Sequence, residues 1–253
     1  MKGLDNFKIV TKSGEEYDMS DYFGVLVRSL VISSPQPIID TEKGEGVHGQ
    51  IRLGKTWGPR LITAQCSWFA ADGHDVALLR NELYRKLMTL NEFYIVIDAE
   101  PNRRWCVEVA SEWSPQKLGT YGEFTLEFIS HSPYAESVSE TTDTFTTKTF
   151  RLWNDGDVAI DPRQHRLKIT FRGSSTDLRI QNVTTSDVWT FAGNSDIGRV
   201  IYLDGVRAMR NTTNIFRDTN RKLITLAPGF NDFIIGGTTG AFTIEFKYRS
   251  LYI

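Results

Sequence analysis

The stretch RLITAQCSWFA, residues 60–70, is followed by DGHDVALLRNELYRKLMTL, residues 72–90. The spacing of the apolar residues changes between the two. In the first part apolar and polar side chains alternate, which predicts a half-buried strand with one face made of Ile62, Ala64, Cys66 and Trp68. In the second part apolar residues recur every three or four positions, which predicts a helix with a stripe made of Val76, Leu79, Leu83, Leu87 and Leu90. Asp72 is the predicted N-cap, with Asp75 three residues later. We therefore expect one helix packed on a sheet.

The segments around this helix are predicted to be strands. They are FGVLVRSLVISS (23–34), EFYIVIDA (92–99), RWCVEVASEW (104–113) and GEFTLEFISHSPYAES (122–137). Residues 35–59 are rich in Gly and Pro and are predicted to form a long loop with extended pieces. Loops of this length usually carry function or become ordered against a partner.

The second half of the chain has a different pattern. Residues 136–149, ESVSETTDTFTTKT, contain few large apolar side chains and are predicted to be a linker. Beyond them, short strands alternate with turns, and Asp204-Gly205 marks a hairpin. The predicted fold is mostly β. Residues 1–135 form a β-sandwich or split-barrel domain with its helix at 72–90, and residues 150–253 form a second β-sandwich.

Charge and hydropathy exclude several classes of protein. Residues 1–135 carry 14 Lys and Arg against 18 Asp and Glu, and the remainder carries 15 against 13, so the halves have charges of −4 and +2. Neither half has the strongly basic character that sequence-specific nucleic-acid binding needs. No run of apolar residues is long enough to span a membrane. Two cysteines argue against a disulfide scaffold and fit synthesis in a cytoplasm.

The residue types that carry catalysis do not form a recognisable constellation. Cys106 follows two arginines, a setting that lowers a thiol pKa, but a nucleophile also needs a base such as His48, His74, His131 or His165. We favour a structural role, with Cys66 in the core and Cys106 on the strand face of Glu108. NDGDVAID (154–161) lacks the acidic ligands of a calcium loop and is predicted to be a solvated turn. We predict no catalytic residue, metal site or cofactor, and no enzyme.

The order of these elements resembles the distal tail (Dit) proteins of long, non-contractile-tailed phages of Gram-positive bacteria. From about residue 49 to 135 the resemblance rests on the Gly-rich segment, RLITAQCSWFA, the single helix DVALLRNELYRKLMTL, FYIVIDAEPNRRWCVEVA and the ending FISHSPYA. The second half resembles the galectin-like or carbohydrate-module-like sandwich of that family. There it rests on Asn-Asp-Gly at 154–156 and LAPGFNDFIIGG at 226–237. Together the two parts cover most of the chain.

The resemblance implies a structural virion protein at the tail tip, with no catalysis. Six copies would form a ring whose N-terminal domains surround a channel for DNA, while the C-terminal domains project outward. The implied partners are the major tail tube protein, the tip or fibre protein of tail-associated lysin type, and the tape-measure protein. The resemblance also implies synthesis in the host cytoplasm and no membrane partner.

A carbohydrate-binding role is the alternative hypothesis. The second half contains four aromatic residues, Trp153, Trp189, Phe191 and Tyr202, that could present a stacking surface to host cell-wall polysaccharide. An aromatic residue on a strand belongs more often to the core, and a lectin-like fold does not by itself carry sugar binding. The burial of these side chains therefore decides between the two interpretations.

Overall fold

The computed structural model describes residues 3–46 and 48–253, and for residues 117 and 118 only the backbone. The chain divides into two compact units, residues 1–135 and residues 136–253. Both units are built mainly of strands, and the described residues contain one α-helix. The prediction of a mostly β fold is thus confirmed. Within the described ranges, no helix has the length and apolar character needed to cross a bilayer.

The first unit contains ten strands around the helix, and an eleventh strand lies at its end. They are β1 (Phe7–Val10), β2 (Glu16–Asp18), β3 (Val25–Ile32), β4 (Pro37–Glu42), β5 (Ile51–Trp57), β6 (Arg60–Phe69), α1 (Gly73–Leu87), β7 (Phe93–Ile97), β8 (Arg103–Val109), β9 (Gln116–Leu118), β10 (Tyr121–Ser130) and β11 (Ala135–Ser137).

The core of the first unit lies between two sheet halves. The strand order is β2-β1-β7-β8-β10-β6-β3, and β8 pairs with β10 at only two positions. The rings of Phe7 and Phe93, from one half, contact that of Phe128, from the other half, at centroid distances of 5.7 and 6.0 Å. The halves therefore fold over each other as an open, sandwich-like sheet and do not close into a barrel.

Strand β6 and helix α1 follow the predicted pattern closely. All four apolar residues predicted for the inner face of β6 are buried. The Asp72 carboxylate accepts hydrogen bonds from the backbone N–H groups of His74 and Asp75, which confirms the predicted cap. Val76, Leu83 and Leu87 are buried, but the helix ends at Leu87 and leaves Leu90 fully exposed. The prediction that the helix reaches residue 90 is wrong by three residues.

Residues 35–59 form a β-hairpin, which corrects the prediction of a loop. Strands β4 and β5 pair only with each other, in a register that joins Pro37 to Trp57 and Ile39 to Lys55. A bulge interrupts the ladder after Asp40. Most of the Gly and Pro residues lie in the turn or at the ends of the hairpin, but Pro37 begins β4 and Gly54 lies within β5, opposite Asp40.

The second unit contains nine strands and one turn of 3-10 helix. They are β12 (Thr141–Phe145), β13 (Thr149–Asn154), β14 (Leu167–Asn182), β15 (Asp187–Ser195), β16 (Val200–Asp204), β17 (Arg207–Arg210), β18 (Thr213–Asn214), η1 (Phe216–Asp218), β19 (Gly229–Tyr248) and β20 (Leu251–Tyr252).

Two long bent strands organise this unit where several short ones were predicted. β14 and β19 pair along their length, with register shifts around Ser175. Phe233 and Phe246, both on β19, lie 4.9 Å apart although thirteen residues of straight strand would separate them by about 43 Å. The strand therefore folds back on itself, and its two halves supply the two layers of the predicted sandwich. A hairpin joins β16 to β17 as predicted, with Gly205 and Val206 in the turn.

The predicted linker at 136–149 is wrong. Residues 141–145 form β12, which pairs with the last residues of β19 from Ile244 to Tyr248. The Phe145 ring stacks on that of Phe150 at 4.0 Å. The run of Thr and Ser residues belongs to an edge strand of the second unit because such residues suit a half-exposed position.

Candidate interaction surfaces

The two cysteines have different surroundings. Cys66 is fully buried on β6, and burial raises the pKa of its thiol to about 12, which keeps it protonated and unreactive. Cys106 is half-buried on β8, on the face of Glu108 as predicted. Glu108 Oε1 lies 2.9 Å from His131 Nε2, so this imidazole is oriented by a carboxylate.

The other histidines are dispersed. His74 is exposed in the first turn of α1, and His165 lies in the second unit, where burial lowers its pKa. His48 is exposed in a bend between β4 and β5. In the part of the chain that the structure describes, no group of three or more His, Cys, Asp and Glu side chains is placed to hold a metal ion.

The β4–β5 hairpin exposes a concentration of large apolar side chains. Five of them are between 40 and 65% exposed, namely Ile38, Ile39, Ile51, Leu53 and Trp57. The base of the hairpin is anchored, because Gly58 N–H donates to the Gln36 carbonyl at 2.7 Å and the Arg60 guanidinium donates to the Ser33 carbonyl at 2.8 Å. A two-stranded hairpin without a packed face is only marginally stable in water. These five residues, which we call the hairpin cluster, therefore form a candidate contact surface.

A polar groove crosses the outer face of β3, β6 and β10. Its volume is about 530 Å³, and its lining includes one cationic and three anionic side chains, from Arg28, Glu112, Glu123 and Glu127, for a net charge of −2. Arg28 Nη1 donates to Glu123 Oε1 at 2.7 Å. The Tyr121 hydroxyl also donates to Glu123 and is the main cause of the lowered pKa of that carboxyl, with Arg28 adding to it. Glu123 therefore keeps its negative charge at neutral pH.

Comparison with known proteins finds a relationship for the first unit. Residues 12–130 match the model of the phage tail protein RIFT-related domain family. The first unit is therefore similar to this family of phage tail domains. No curated protein sequence matches the chain.

Solved structures extend the likeness of this phage tail domain to the whole chain. The Dit protein of phage SPP1, described as a paradigm of the hub adsorption apparatus in phages that infect Gram-positive bacteria, superposes with a TM-score of 0.73 at 18% identity. The match covers 96% of this chain and 98% of the SPP1 protein. A chain of the activated phage P2 baseplate with calcium matches with a TM-score of 0.46 at 8% identity, covering 97% of each chain. The SPP1 superposition shows that the fold is that of a distal tail protein, and with the domain match at residues 12–130 it confirms the resemblance found in the sequence.

The four aromatic candidates of the second unit differ in how far they are buried. Trp189 and Phe191 are each only 2% exposed and belong to the core, which corrects their proposed role as stacking residues. The Tyr202 hydroxyl donates to the Asn211 carbonyl beside the β16–β17 hairpin. Only Trp153 of the four has a largely accessible ring, with 49% exposure, and it packs edge-on against the exposed Phe230 at 4.6 Å. Phe230 was missed in the sequence, although its place in the GFNDF turn next to a polar residue was a usable signal.

Three buried asparagines hold the turns beside Trp153 and Phe230. The Asn231 amide accepts from Ala227 N–H and from Asn182 Nδ2, both at 2.9 Å, and donates to the Ala227 carbonyl at 2.8 Å. The Asn154 amide donates to the same Ala227 carbonyl at 3.3 Å and accepts from Gly156 N–H at 3.1 Å. Residues 154–161 are therefore a fixed and partly buried turn, where a solvated turn was predicted.

Proposed function

We propose that this protein is the structural hub of a siphophage tail tip, built as a ring of six copies without catalysis. The observation that carries this proposal is the phage tail domain at residues 12–130, in a chain with the Dit fold over 96% of its length. In this role the protein joins the tail tube protein to the tip or fibre protein, with the tape-measure protein as a further partner. It resides at the tail tip of the virion after synthesis in the host cytoplasm.

The hairpin cluster is the proposed contact between ring subunits. Pro37 and Trp57 pair across the hairpin, and Ile39 lies on the same face because it pairs with Lys55. Lys55 Nζ lies 4.3 Å above the Trp57 ring. The side chain of Lys55, the polar residue on this face, therefore covers part of the Trp57 ring. In a cyclic ring each subunit has one neighbour on either side. Because the subunits are identical, the hairpin cluster of each one meets the same surface of the next subunit at every contact. The neighbouring copy is therefore the proposed occupant.

The polar groove is the proposed wall of the DNA channel. Its lining carries three carboxylates and one guanidinium, and that guanidinium is already paired with Glu123. A wall of this charge repels a passing polyanion and offers few cationic side chains that could retain it. The charge of −4 on the whole first unit acts in the same direction.

The mass of the purified protein tests the ring directly. We expect light scattering to give about 173 kDa, six times the 28.8 kDa of one chain, because closed cyclic assembly has a defined stoichiometry. Negative-stain images of the same fraction should show six-fold rings with a stain-filled hole. A particle that remains at 28.8 kDa at every concentration and is absent from tail tips contradicts the proposal.

Gold labelling tests which surface faces the channel. In a Cys106→Ser background, which leaves only the buried Cys66, Thr125→Cys places one reactive thiol on the exposed face of β10 beside the groove. We expect a small gold–maleimide cluster on this thiol to appear inside the hole of the ring. The control is Thr142→Cys, an exposed position on β12, for which gold should lie at the periphery. Gold from Thr125→Cys at the outer rim would exclude the groove as channel wall.

A further inference from the structure

A cleft in the second unit brings an exposed indole next to two carboxylates and a guanidinium. Its volume is about 390 Å³, which is within the range of small-molecule sites. Asp143 of β12, Arg151 and Trp153 of β13, and Asp155 and Ser250 line it. We call it the Trp153 cleft. Most of these residues lie at the start of the unit's sequence, and Ser250 lies near its end. They are neighbours because β12 pairs with the C-terminal half of β19 and β13 pairs with its N-terminal half.

The Trp153 ring is held in position without being buried. Its edge packs against Phe230 with an interplanar angle of 65°, and its indole N–H donates to Asp155 Oδ1 at 3.4 Å. The Arg151 guanidinium covers the Phe230 ring at 4.9 Å and donates to Asp232 Oδ1 at 2.9 Å. Because the contacts with Phe230 and Asp155 restrict its rotation, the accessible indole loses little conformational freedom when a ligand stacks on it.

Both carboxylates are oriented by tyrosines. The Tyr248 hydroxyl lies 3.2 Å from Asp143 Oδ2 and 2.7 Å from the Trp153 carbonyl, and the Tyr252 hydroxyl donates to Asp155 Oδ2 at 3.0 Å. Burial is the main cause of the raised pKa of Tyr248, so its hydroxyl remains a donor at neutral pH. A carboxylate has about four lone-pair positions, so one hydroxyl on Asp143, and one hydroxyl and one indole N–H on Asp155, use only part of the accepting capacity. Each aspartate therefore retains capacity to accept from a ligand.

We propose that the Trp153 cleft binds a neutral saccharide. A pyranose ring has an apolar C–H face that stacks on an exposed indole, and hydroxyl groups that both donate and accept hydrogen bonds. The cleft matches both properties, with Trp153 for the apolar face, Asp143 and Asp155 as acceptors, and the Arg151 guanidinium as donor. Planar side chains fixed by neighbours are the groups that give such sites their specificity.

The composition of the cleft argues against charged ligands. An anion would meet two carboxylates at close range. A quaternary ammonium ion, which is the usual ligand of aromatic cages, has no hydrogen-bond donor or acceptor and would use neither the remaining acceptor positions of the two aspartates nor the donors of Arg151. The lining also contains one indole and not the several aromatic faces of a cage. A polyol can accept from Arg151, donate to the two aspartates and stack on the indole at the same time.

Ligand-observed NMR on the full chain tests the proposal, whatever its oligomeric state. The probes are maltotetraose, chitotetraose, galactotetraose and choline. We expect saturation transfer to at least one of the neutral tetrasaccharides, and a dissociation constant about tenfold larger or more in the Trp153→Ala variant, since stacking on the ring is lost. Asp143→Asn and Asp155→Asn should also weaken binding, while Trp153→Tyr should retain most of it.

A matched control is Phe216→Ala, which removes another exposed aromatic ring of the second unit that does not line the cleft. It should leave the affinity unchanged, and thermal unfolding should show that each variant is folded. Three results would overturn the proposal: no transfer to any tetrasaccharide, equal affinity in wild type and Trp153→Ala, or tighter binding of choline than of every saccharide. Because the measurement does not depend on ring formation, its failure is distinguishable from failure of the proposed hub.

Discussion

Replacing Ile39 and Leu53 by aspartate should convert the ring of about 173 kDa into monomers of 28.8 kDa. These side chains are 53 and 65% exposed in the single chain, so burying the remaining surface against a neighbouring copy would stabilise the ring by about 1 to 2 kcal/mol for each. Two buried charges reverse that gain at every interface. A loss of about 3 kcal/mol per interface corresponds to roughly a hundredfold in each association constant. Light scattering at micromolar concentration measures the result.

The control for this variant changes the same hairpin by the same charge without removing apolar surface. Arg52→Gln with Thr56→Asp alters the net charge by −2, as does the pair Ile39→Asp and Leu53→Asp. We expect the control to remain a ring, because a rim charge changes association far less than a buried apolar contact does. If the Ile39 and Leu53 variant still forms rings, or if the control dissociates equally, the hairpin cluster is not the apolar contact between subunits.

Replacing Asn231 by alanine should destabilise the second unit by about 3 kcal/mol and lower its melting temperature by about 10 °C. Asn231 is fully buried and joins β19 to the turn at residues 225–229. Its removal leaves the N–H of Ala227 and one N–H of Asn182 without their 2.9 Å acceptor. Buried donors that lose their partner cost more than the hydrogen bond itself contributes.

Calorimetry of the variant and of Asp232→Ala measures this effect. Asp232 is the next residue on the same strand, but it is exposed and its bond to Arg151 lies at the surface. Such surface pairs contribute at most about 1 kcal/mol. A destabilisation by Asn231→Ala no larger than that of Asp232→Ala would show that the asparagine network does not hold the turn. The same network flanks Trp153 and Phe230, so the Trp153 cleft depends on it for its shape.

Local chemistry was enough to predict several elements. The change of period at residues 60–90 predicts both β6 and α1, since a half-buried strand and an amphipathic helix each need one apolar face. The cap at Asp72 follows from its place before that helix, and the core position of Cys66 follows from its place on the alternating face. These features depend only on neighbours within a few residues.

Features that depend on distant partners were mispredicted. Gly237 has φ of +78° and looks like a turn residue, but it lies inside β19, where the Thr176 carbonyl oxygen would be 2.6 Å from an added Cβ. The pairing of β14 with β19 on both sides of Gly237 makes this position a bend within one long strand and not a turn between two strands. For the same reason residues 141–145 became an edge strand, because their partner lies about a hundred residues later on β19.

The sequence by itself determined the apolar periods, the helix cap, the absence of a strong basic patch and the resemblance to distal tail proteins. Each of these is a property of residue type and local spacing. Tertiary structure alone decided that Trp189 is core while Trp153 is accessible, that Asp143 and Asp155 share a cleft, and that among the described strands β4 and β5 pair only with each other. The physical reason is that burial depends on which strands pair across the sheet, and an alternating segment does not reveal which of its faces another layer will cover.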